Sequence, residues 1–470
     1  MRLKESHAWV FLVVAVSALF VAQLWNLRLA AAPYTDEGVY AEQGRLLLSG
    51  RVPHRDFFLV QMPLLPAAIG AGLKIFDSMY VLRVLYLFLN SIGVLLLFRY
   101  LVATRKAPLA ALAACLFFAT YHEMVDHDFR FLAVRQLANL FLFGILLNSV
   151  RRPKASTTVA VVLCCLGTFT FLPFLVDAGF IYAALVFSEP NRSARLALAR
   201  TYVAPLGAAA LLVLMYFALV PGSFDQVVLF QRERPFMPYS ERLTWILQYS
   251  TSDLLFYGLG LVGLLVGAAF MRGHRAFSIA MFGTLVVSVA AGAGFYPHYL
   301  VAAAPALAWG VFCAVTFAWE RLAPRSVSPV FLVVAIVLSI HLGIVLPSLT
   351  REWASNSYPE FYQVVEAIRD SGGPVLAFEP IYAVESGIPA VYHFNEDVRS
   401  LGIMGKSLTP GQIRELEAQA CTILIEPFSA SRVVPQATLD AWRAKYPTRV
   451  SNWWGTVLET RHADCAKRSP

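Results

Sequence analysis

Eleven long apolar runs constrain this sequence more than any other feature. A helix needs about 20 mostly apolar residues to cross the hydrocarbon of a bilayer. The sequence therefore predicts a polytopic α-helical membrane protein with about 11 transmembrane helices. The runs lie near 8–29, 80–98, 107–121, 131–149, 156–171, 173–188, 201–220, 252–270, 276–293, 299–319 and 328–347.

One boundary in this series has two interpretations. Phe171-Leu172-Pro173 is either a tight turn between two short spans or a break within one long helix over 156–188. Proline ends or kinks a helix, so both interpretations agree with the local sequence.

The composition supports a membrane protein. Of 470 residues, 58% are hydrophobic and only 14% are charged, whereas soluble domains carry about 25% charged residues. This excludes an ordinary soluble enzyme, a disordered chain and a secreted disulfide scaffold. The net charge of +8 would suggest nucleic acid in a soluble protein, but here it is explained by its distribution about the membrane, and no nucleic-acid partner is expected.

Basic residues mark alternate connecting segments, and short cytoplasmic segments are rich in Lys and Arg. The N-terminus is then cytoplasmic, and eleven crossings place everything after residue 350 outside. The first span has no convincing small-residue cleavage site, so we expect a retained helix. The fifteen basic residues are Arg2, Lys4, Arg99, Arg105, Lys106, Arg151, Arg152, Lys154, Arg192, Arg195, Arg200, Arg272, Arg275, Arg321 and Arg325.

The last part of the chain, 351–470, has a different character from the first part, 1–350. Its net charge is −2, against +10 for the membrane part. A helix through Tyr362–Asp370, a strand over Pro374–Glu379, a helix opened by Thr409-Pro410 and a strand over Cys421–Ile425 predict a small extracytoplasmic α/β domain. Its two cysteines, Cys421 and Cys465, either form a disulfide, which an oxidising compartment permits, or remain thiols.

The first outer loop, about 31–79, is long and holds two short helix-forming stretches. One begins at Asp36-Glu37 and runs to Leu48, where Ser49-Gly50 stops it, and the other covers the apolar run 64–76. The second stretch is too short to span comfortably and is expected to lie in the membrane interface. Such a loop can roof a cavity for a substrate with a polar head and a lipid tail. Asp36 is either an N-cap or a functional carboxylate.

The second outer loop concentrates polar groups. Seven of the ten residues 121–130 are ionisable or hydrogen-bonding, and ionisable groups this close to hydrocarbon usually face a cavity or a partner. His122, Glu123, Asp126, His127 and Asp128 could together ligate a divalent ion, or the loop is simply solvated.

A third polar site precedes the tenth run, at Tyr296-Pro297-His298-Tyr299. His298 is either a phosphate or sugar contact or an interfacial residue beside the aromatic belt.

The first outer loop contains a distinctive set of residues: Tyr34-Thr35-Asp36-Glu37-Gly38-Val39-Tyr40, Gly50, Pro53, Arg55-Asp56-Phe57-Phe58 and Pro63-Leu64. With these residues it resembles the first loop of type C glycosyltransferases, and most closely that of the bacterial relatives of protein O-mannosyltransferases and of lipid A aminoarabinose transferase, glycosyltransferase families 39 and 83. Tyr296-Pro297-His298-Tyr299 and Gly373-Pro374-Val375-Leu376 are also similar to that family.

The resemblance implies an inverting transfer of a sugar from a polyprenyl or dolichyl phosphate, with Asp36 as catalytic base and Glu37 supporting it. It requires no cofactor. A carboxylate can take the proton of an acceptor hydroxyl, and arginines can stabilise the phosphate that leaves. The residues expected to bind donor phosphate or substrate are Tyr40, Arg55, Asp56, Arg130, Arg135, His298 and Tyr299.

Two departures from the family pattern concern the polar residues. Gln61-Met62 stands where relatives often have Lys or His before Pro-Leu, and Arg135 is followed by Gln136 instead of Pro and an acidic residue. Asp126 or Asp128 is therefore the expected second carboxylate or metal ligand.

The sequence as a whole predicts a glycosyltransferase of the bacterial inner membrane with an extracytoplasmic active site. Its partners would be the bilayer, a polyprenyl-phosphate-linked sugar and an acceptor that is a lipid, a polysaccharide or a protein. A lipid-sugar flippase is an alternative, although no internal repeat is visible and Asp177 is the main mid-span acid. An inactive assembly subunit of the same fold is another.

Overall fold

The computed structural model of the chain is built mainly of helices, with one small sheet near its C-terminus. The residues that the structure describes are 5–27, 36–121, 132–150, 156–233, 237–249, 253–290, 297–322, 333–343, 358–391, 407–426, 429–460 and 465.

Each of the eleven apolar runs contains a helix, which confirms the polytopic helical fold. In the described part of the chain, five helices are long and apolar enough to cross a membrane by length and composition, and the other helices in these runs are shorter. Large apolar side chains such as Phe11, Phe88 and Leu214 are exposed on these helices, as expected for surfaces that face lipid. The helices are α1 (Glu5–Leu27), α4 (Met79–Arg105), α5 (Pro108–Ala119), α6 (Val134–Val150), α7 (Thr157–Thr170), α8 (Phe174–Phe187), α9 (Arg192–Leu219), α12 (Leu254–Phe270), α13 (Arg275–Ala290), α14 (Ala304–Leu322) and α15 (Val333–Gly343). Two further helices, α10 (Phe230–Glu233) and α11 (Tyr239–Tyr249), come between α9 and α12 in the sequence.

The sequence allowed two interpretations of the boundary at 171–173, and the structure has a turn between two helices there. Helix α7 ends at Thr170, and Phe171 adopts an extended conformation. Helix α8 begins directly after Pro173, which cannot donate a backbone hydrogen bond. Asp177 is buried in the first turn of α8, near this turn.

Four segments that the basic residues mark as cytoplasmic meet through side-chain contacts. Arg99 of α4 pairs with Glu5 of α1 at 3.3 Å. Arg105, at the end of α4, pairs with Glu320 of α14 at 2.9 Å and donates to His274, before α13, at 2.8 Å. The ends of these helices therefore share one face, as the charge pattern predicts.

The chain packs into two compact units. The first contains Met1–Asn26, Val84–Tyr216 and Met237–Ala354, and the second contains Leu27–Arg83, Phe217–Phe236 and Ser355–Pro470. The second unit thus combines the first outer loop with the C-terminal segment.

Close helix packing in the first unit depends on glycines in α12 and α14. A Cβ atom on Gly263 would overlap the carbonyl oxygen of Gly310, and one on Gly310 would overlap that of Gly260. Because glycine lacks a Cβ, the two backbones can approach this closely. Trp309 of α14 is buried and donates to Ser278 of α13 at 3.1 Å.

The first outer loop forms two helices at the predicted positions, α2 (Asp36–Leu48) and α3 (Leu64–Phe76). Helix α2 is followed by Gly50 at φ +84°, a conformation that glycine adopts without steric cost. Helices α2 and α3 cross closely, because a Cβ on Gly44 would lie 2.6 Å from the backbone nitrogen of Gly70. The chain between these helices turns back on itself over 51–57.

The C-terminal segment forms the predicted small α/β module. Its four strands lie in the order β1-β2-β4-β3; β1 and β2 are parallel, and the other neighbours are antiparallel. The hairpin of β3 and β4 was not predicted, and the strand expected over Pro374–Glu379 is limited to Val375–Leu376. The elements are α16 (Tyr358–Arg369), β1 (Val375–Leu376), α17 (Pro380–Ser386), α18 (Pro410–Gln419), β2 (Thr422–Ile425), α19 (Ala430–Val433), α20 (Gln436–Lys445), β3 (Thr448–Asn452) and β4 (Gly455–Glu459).

Cys421 and Cys465 form a disulfide, so the bridged alternative is the one found. The bond joins the residue before β2 to the chain beyond β4. Closing this loop limits the freedom of the unfolded segment and so stabilises the module.

Two buried glutamates follow the parallel strands β1 and β2. Glu426 accepts hydrogen bonds from the backbone N–H groups of Phe378 and Glu379 at 2.8 and 3.0 Å, and Ser429 donates to Glu379. Among the described residues, the other carboxyl oxygen of Glu426 has no hydrogen-bond partner. Burial, together with the nearby Glu379 carboxylate, raises the pKa of Glu426 to about 8.

Replacing Gly263 by Ala should disrupt the α12–α14 contact and destabilise the protein by about 1–3 kcal/mol, because the new methyl group has no space. Gly258→Ala on the same helix is the matched control, since nothing lies within 4 Å of the added Cβ. Thermal unfolding in detergent measures both. Equal melting temperatures for the two variants would contradict the packing described.

The stability of the C-terminal module should depend on pH because of the buried Glu426 carboxyl. Its pKa is raised from 4.5 to about 8, so the folded state retains a proton that the unfolded state loses, and stability falls as the pH rises between these values. Glu426→Gln should therefore stabilise the module by roughly 1–3 kcal/mol at pH 9 and have little effect at pH 4. Melting temperatures at both pH values test this, and a pH-independent effect would contradict it.

Candidate active site

The predicted catalytic base stands at the start of α2. Asp36 is the first residue of the helix and is partly exposed, while the rest of its first turn is buried. The Tyr40 hydroxyl, one turn further along, donates to the Asp36 carboxylate over 3.4 Å. The structure thus brings together two of the predicted site residues, Asp36 and Tyr40. A helix N-terminus is a favourable place for a carboxylate, because the helix dipole interacts well with negative charge there.

Glu37, the neighbour of Asp36, is held by a buried arginine. Arg83, in the first turns of α4, donates to Glu37 with its Nε at 3.0 and 3.2 Å to the two carboxylate oxygens, and its Nη2 also contacts Glu37. The side chain of Glu37 is fully buried and that of Arg83 is 2% exposed. A paired guanidinium stabilises a buried carboxylate in a fixed orientation.

A second carboxylate completes this cluster. Glu385 of α17 lies 3.2 Å from Nη2 of Arg83. Burial is the largest influence on Glu385 and raises its pKa, and the nearby Glu37 acts in the same direction while Arg83 opposes both. The same cluster raises the pKa of Tyr362, with burial again the main cause. One arginine therefore joins two acidic side chains of the second unit.

Arg55 and Asp56, both predicted to bind substrate, lie in the turn over 51–57. Arg55 pairs with Asp56 through two hydrogen bonds of 2.8 and 3.1 Å. The backbone N–H of Val52 also donates to Asp56, and these bonds lower the pKa of Asp56 to about 2. The Arg55 side chain is 68% exposed, so its guanidinium is accessible to an incoming anion.

Gln226 holds this turn in place. Its amide nitrogen donates to the His54 carbonyl at 2.9 Å, and its amide oxygen accepts from the backbone N–H of Leu59 at 2.9 Å. The same oxygen lies 3.0 Å from Nδ1 of His54. Burial lowers the pKa of His54, although the Gln226 hydrogen bond opposes this effect, so His54 is neutral at pH 7.

A cavity of about 600 Å³ lies beside Arg83 in the second unit. This volume is within the range typical of ligand sites. Guanidinium groups, carboxylates and phenols in its wall favour a polar, hydrogen-bonding occupant. Its polar lining includes Arg45, Asp77, Ser78, Tyr80, Arg83, Tyr362, Arg369, Glu385 and Ser386.

Several predicted site residues lie outside the described part of the chain. Asp126, Asp128 and Arg130 belong to 122–131, and the side chains of His298 and Tyr299 are also outside it. Their assignments remain predictions. Arg135 lies near the start of α6, with its guanidinium carbon 5.7 Å from the ring centroid of Phe171.

Sequence reasoning missed Arg83, Glu385 and Gln226. Arg83 belongs to the second apolar run, where a buried arginine is unusual, and this was the available signal. Gln226 and Glu385 carry no comparable signal, because each contacts residues far away in the sequence.

The fold is similar to that of ArnT from Cupriavidus metallidurans in two crystal structures. The apo structure matches with a TM-score of 0.67 at 14% sequence identity, covering 97% of this chain and 98% of that chain. The structure bound to undecaprenyl phosphate matches with a TM-score of 0.65 at 14% identity, covering 96% and 98%. No protein-family model and no curated protein matches the sequence. The likeness shows that this chain shares the fold of these two structures over nearly its whole length.

Replacing Glu37 by Gln should destabilise the second unit by about 3 kcal/mol, because Arg83 would stay buried with one carboxylate instead of two. Asp440→Asn is the control: it removes a carboxylate of the second unit from an exposed pair with Arg443, which contributes little to stability. Melting temperatures in detergent compare the two variants. A Glu37→Gln variant as stable as the wild type would contradict the structural role of this pair.

Proposed function

We propose that this chain is a membrane glycosyltransferase that moves a sugar from a polyprenyl phosphate to an extracytoplasmic hydroxyl acceptor. The observation that carries the proposal is the fold, which is shared over nearly the whole chain with ArnT, including a structure that holds undecaprenyl phosphate. The first-loop residues from Asp36 to Phe58 support it from the sequence. The alternatives, a lipid-sugar flippase and an inactive subunit, have no separate observation in their favour.

The reaction we propose is a single displacement. The Asp36 carboxylate takes the proton of the acceptor hydroxyl as its oxygen attacks C1 of the sugar. The bond between C1 and the phosphate oxygen breaks, its electron pair stays on the phosphate, and the configuration at C1 inverts. The leaving phosphate is already anionic and needs no general acid.

Asp36 and Glu37 have different roles in this mechanism. The buried Arg83 donates hydrogen bonds to both carboxylate oxygens of Glu37, so Glu37 anchors the start of α2. Asp36 is partly exposed at the start of α2 and accepts a long hydrogen bond of 3.4 Å from Tyr40. We therefore assign the proton transfer to Asp36 and the support of α2 to Glu37.

The exposed guanidinium of Arg55 is the described cation best suited to the donor phosphate. It is oriented by Asp56 and can form paired N–H bonds with phosphate oxygens. Such bonds stabilise the charge that develops on the leaving group. Arg130, Arg135, His298 and Tyr299 remain further candidates from the sequence.

The location follows from the same proposal. The C-terminal module contains a disulfide, and such bonds persist mainly in oxidising compartments. With the distribution of basic residues, this supports a cytoplasmic N-terminus and an extracytoplasmic active site and C-terminal module. We propose the bacterial inner membrane as the site of the reaction.

Asp36→Asn should lower the turnover by about 10²–10⁴-fold, because asparagine cannot accept the hydroxyl proton. The assay uses purified protein in vesicles, undecaprenyl phosphate carrying mannose, glucose or aminoarabinose, and an envelope extract as acceptor. Mass spectrometry follows the release of undecaprenyl phosphate and the glycosylated product.

Asp225→Asn, at an exposed position of the same unit, should retain wild-type turnover. Full turnover in Asp36→Asn would contradict the assignment of the base. Movement of the intact donor across the vesicle without any product would favour a flippase, and neither activity would favour an inactive subunit.

A further inference from the structure

Helix α17 of the C-terminal module packs directly against α2, the helix that begins with Asp36. A Cβ atom on Gly38 would lie 2.7 Å from the backbone nitrogen of Ile381 in α17. Only a glycine permits this approach of a helix to a neighbouring backbone. The contact is two residues from Asp36, so the position of α17 bears on the start of α2.

Two arginines fix the C-terminal end of α17. Arg45 of α2 donates to the carbonyl oxygens of Ala383 and Val384 at 3.4 and 3.2 Å. Arg369 of α16 donates to those of Glu385 and Ser386 at 2.9 and 3.3 Å. The last carbonyls of a helix lack partners within the helix, and cations are favourable at that end. These bonds hold Glu385 in a defined place.

In this position Glu385 contacts Nη2 of Arg83. The same nitrogen contacts Glu37 at the start of α2. The order of contacts is therefore Glu385, Arg83, Glu37 and then, through the backbone of α2, Asp36. The side chain of Glu385 is 15% exposed and lines the cavity of about 600 Å³.

We propose that Glu385 is a positioning residue, which acts through Arg83 and Glu37 to orient α2 and Asp36 for transfer. This inference rests on the proposed function. The C-terminal module thereby contributes to catalysis. Its Glu385 is one of the two carboxylates that pair with Arg83, and this pairing positions the base. Glu385 itself does not contact the reacting atoms in this account.

When Glu385 is replaced, the geometry predicts that α2 and Asp36 are displaced while the protein remains folded. Arg83 keeps all its hydrogen bonds to Glu37, so its charge remains paired. What is lost is the second carboxylate that limits the motion of the guanidinium. Catalysis is sensitive to displacements of about 1 Å, whereas the fold tolerates them.

Glu385→Gln should lower kcat about tenfold and leave the KM for the lipid-linked donor within about twofold, because transfer depends on the exact placement of the base. Glu385→Asp, which keeps the charge, should recover part of kcat. In hydrogen exchange, amides of residues 36–48 in Glu385→Gln should exchange at least about threefold faster than in the wild type.

Glu417→Gln is the matched control. Glu417 lies in the same module, its side chain is 16% exposed, and it pairs with Lys445 at 2.6 Å. Glu417→Gln removes a carboxylate whose exposed fraction is close to that of Glu385, and it leaves Arg83 untouched. Its kcat and its exchange over 36–48 should equal those of the wild type.

The inference is overturned if Glu385→Gln leaves both kcat and the exchange of 36–48 unchanged, or if Glu417→Gln changes them equally. Failure of the proposed function looks different, because the wild type itself would then transfer no sugar. In that case the exchange measurement still decides whether Glu385 holds α2.

Discussion

The buried ion pair between Glu37 and Arg83 is the interaction on which the candidate active site depends. Neither side chain is exposed by more than 2%, and charges removed from water are stable only when they are paired with good geometry. The two residues are 46 positions apart in the chain and lie in the first turns of α2 and α4. Their pairing fixes the start of α2, and the proposed base is the adjacent residue.

Two neighbouring residues of the second unit have different proposed roles: Glu37 supports helix α2, and Asp36 takes part in the reaction. Glu37 is committed to Arg83, whereas Asp36 is partly exposed at the helix N-terminus, where a negative charge is favoured. Glycines bring α2 close to both α3 and α17, so helices from the first outer loop and the C-terminal module form one packed unit. The proposed base is therefore accessible to a substrate, while its neighbour Glu37 is held by Arg83.

Local patterns predicted much of this architecture. Apolar runs located the helices, and Asp36 to Leu48 with Ser49-Gly50 located α2, because hydropathy, helix propensity and turn residues act over short stretches. The cluster of Glu37, Arg83 and Glu385 was not predictable in this way, because Glu385 is about 300 residues from Arg83 in the sequence and contacts it only in the folded protein. The hairpin of β3 and β4 was missed for a different reason: β3 is largely exposed and lacks the buried apolar run that marked β2. The residues 122–131, where a second carboxylate is predicted, lie outside the described part.

The proposed transfer of a sugar from a polyprenyl phosphate to an envelope acceptor can be tested in cells. The measurement is mass spectrometry of the glycolipids and glycoproteins of cells with and without the gene. We expect that one glycosylated species disappears without the gene, that its unglycosylated form and the undecaprenyl-phosphate-linked sugar accumulate, and that the wild-type gene restores the glycosylated species while Asp36→Asn does not. Identical profiles with and without the gene would contradict it.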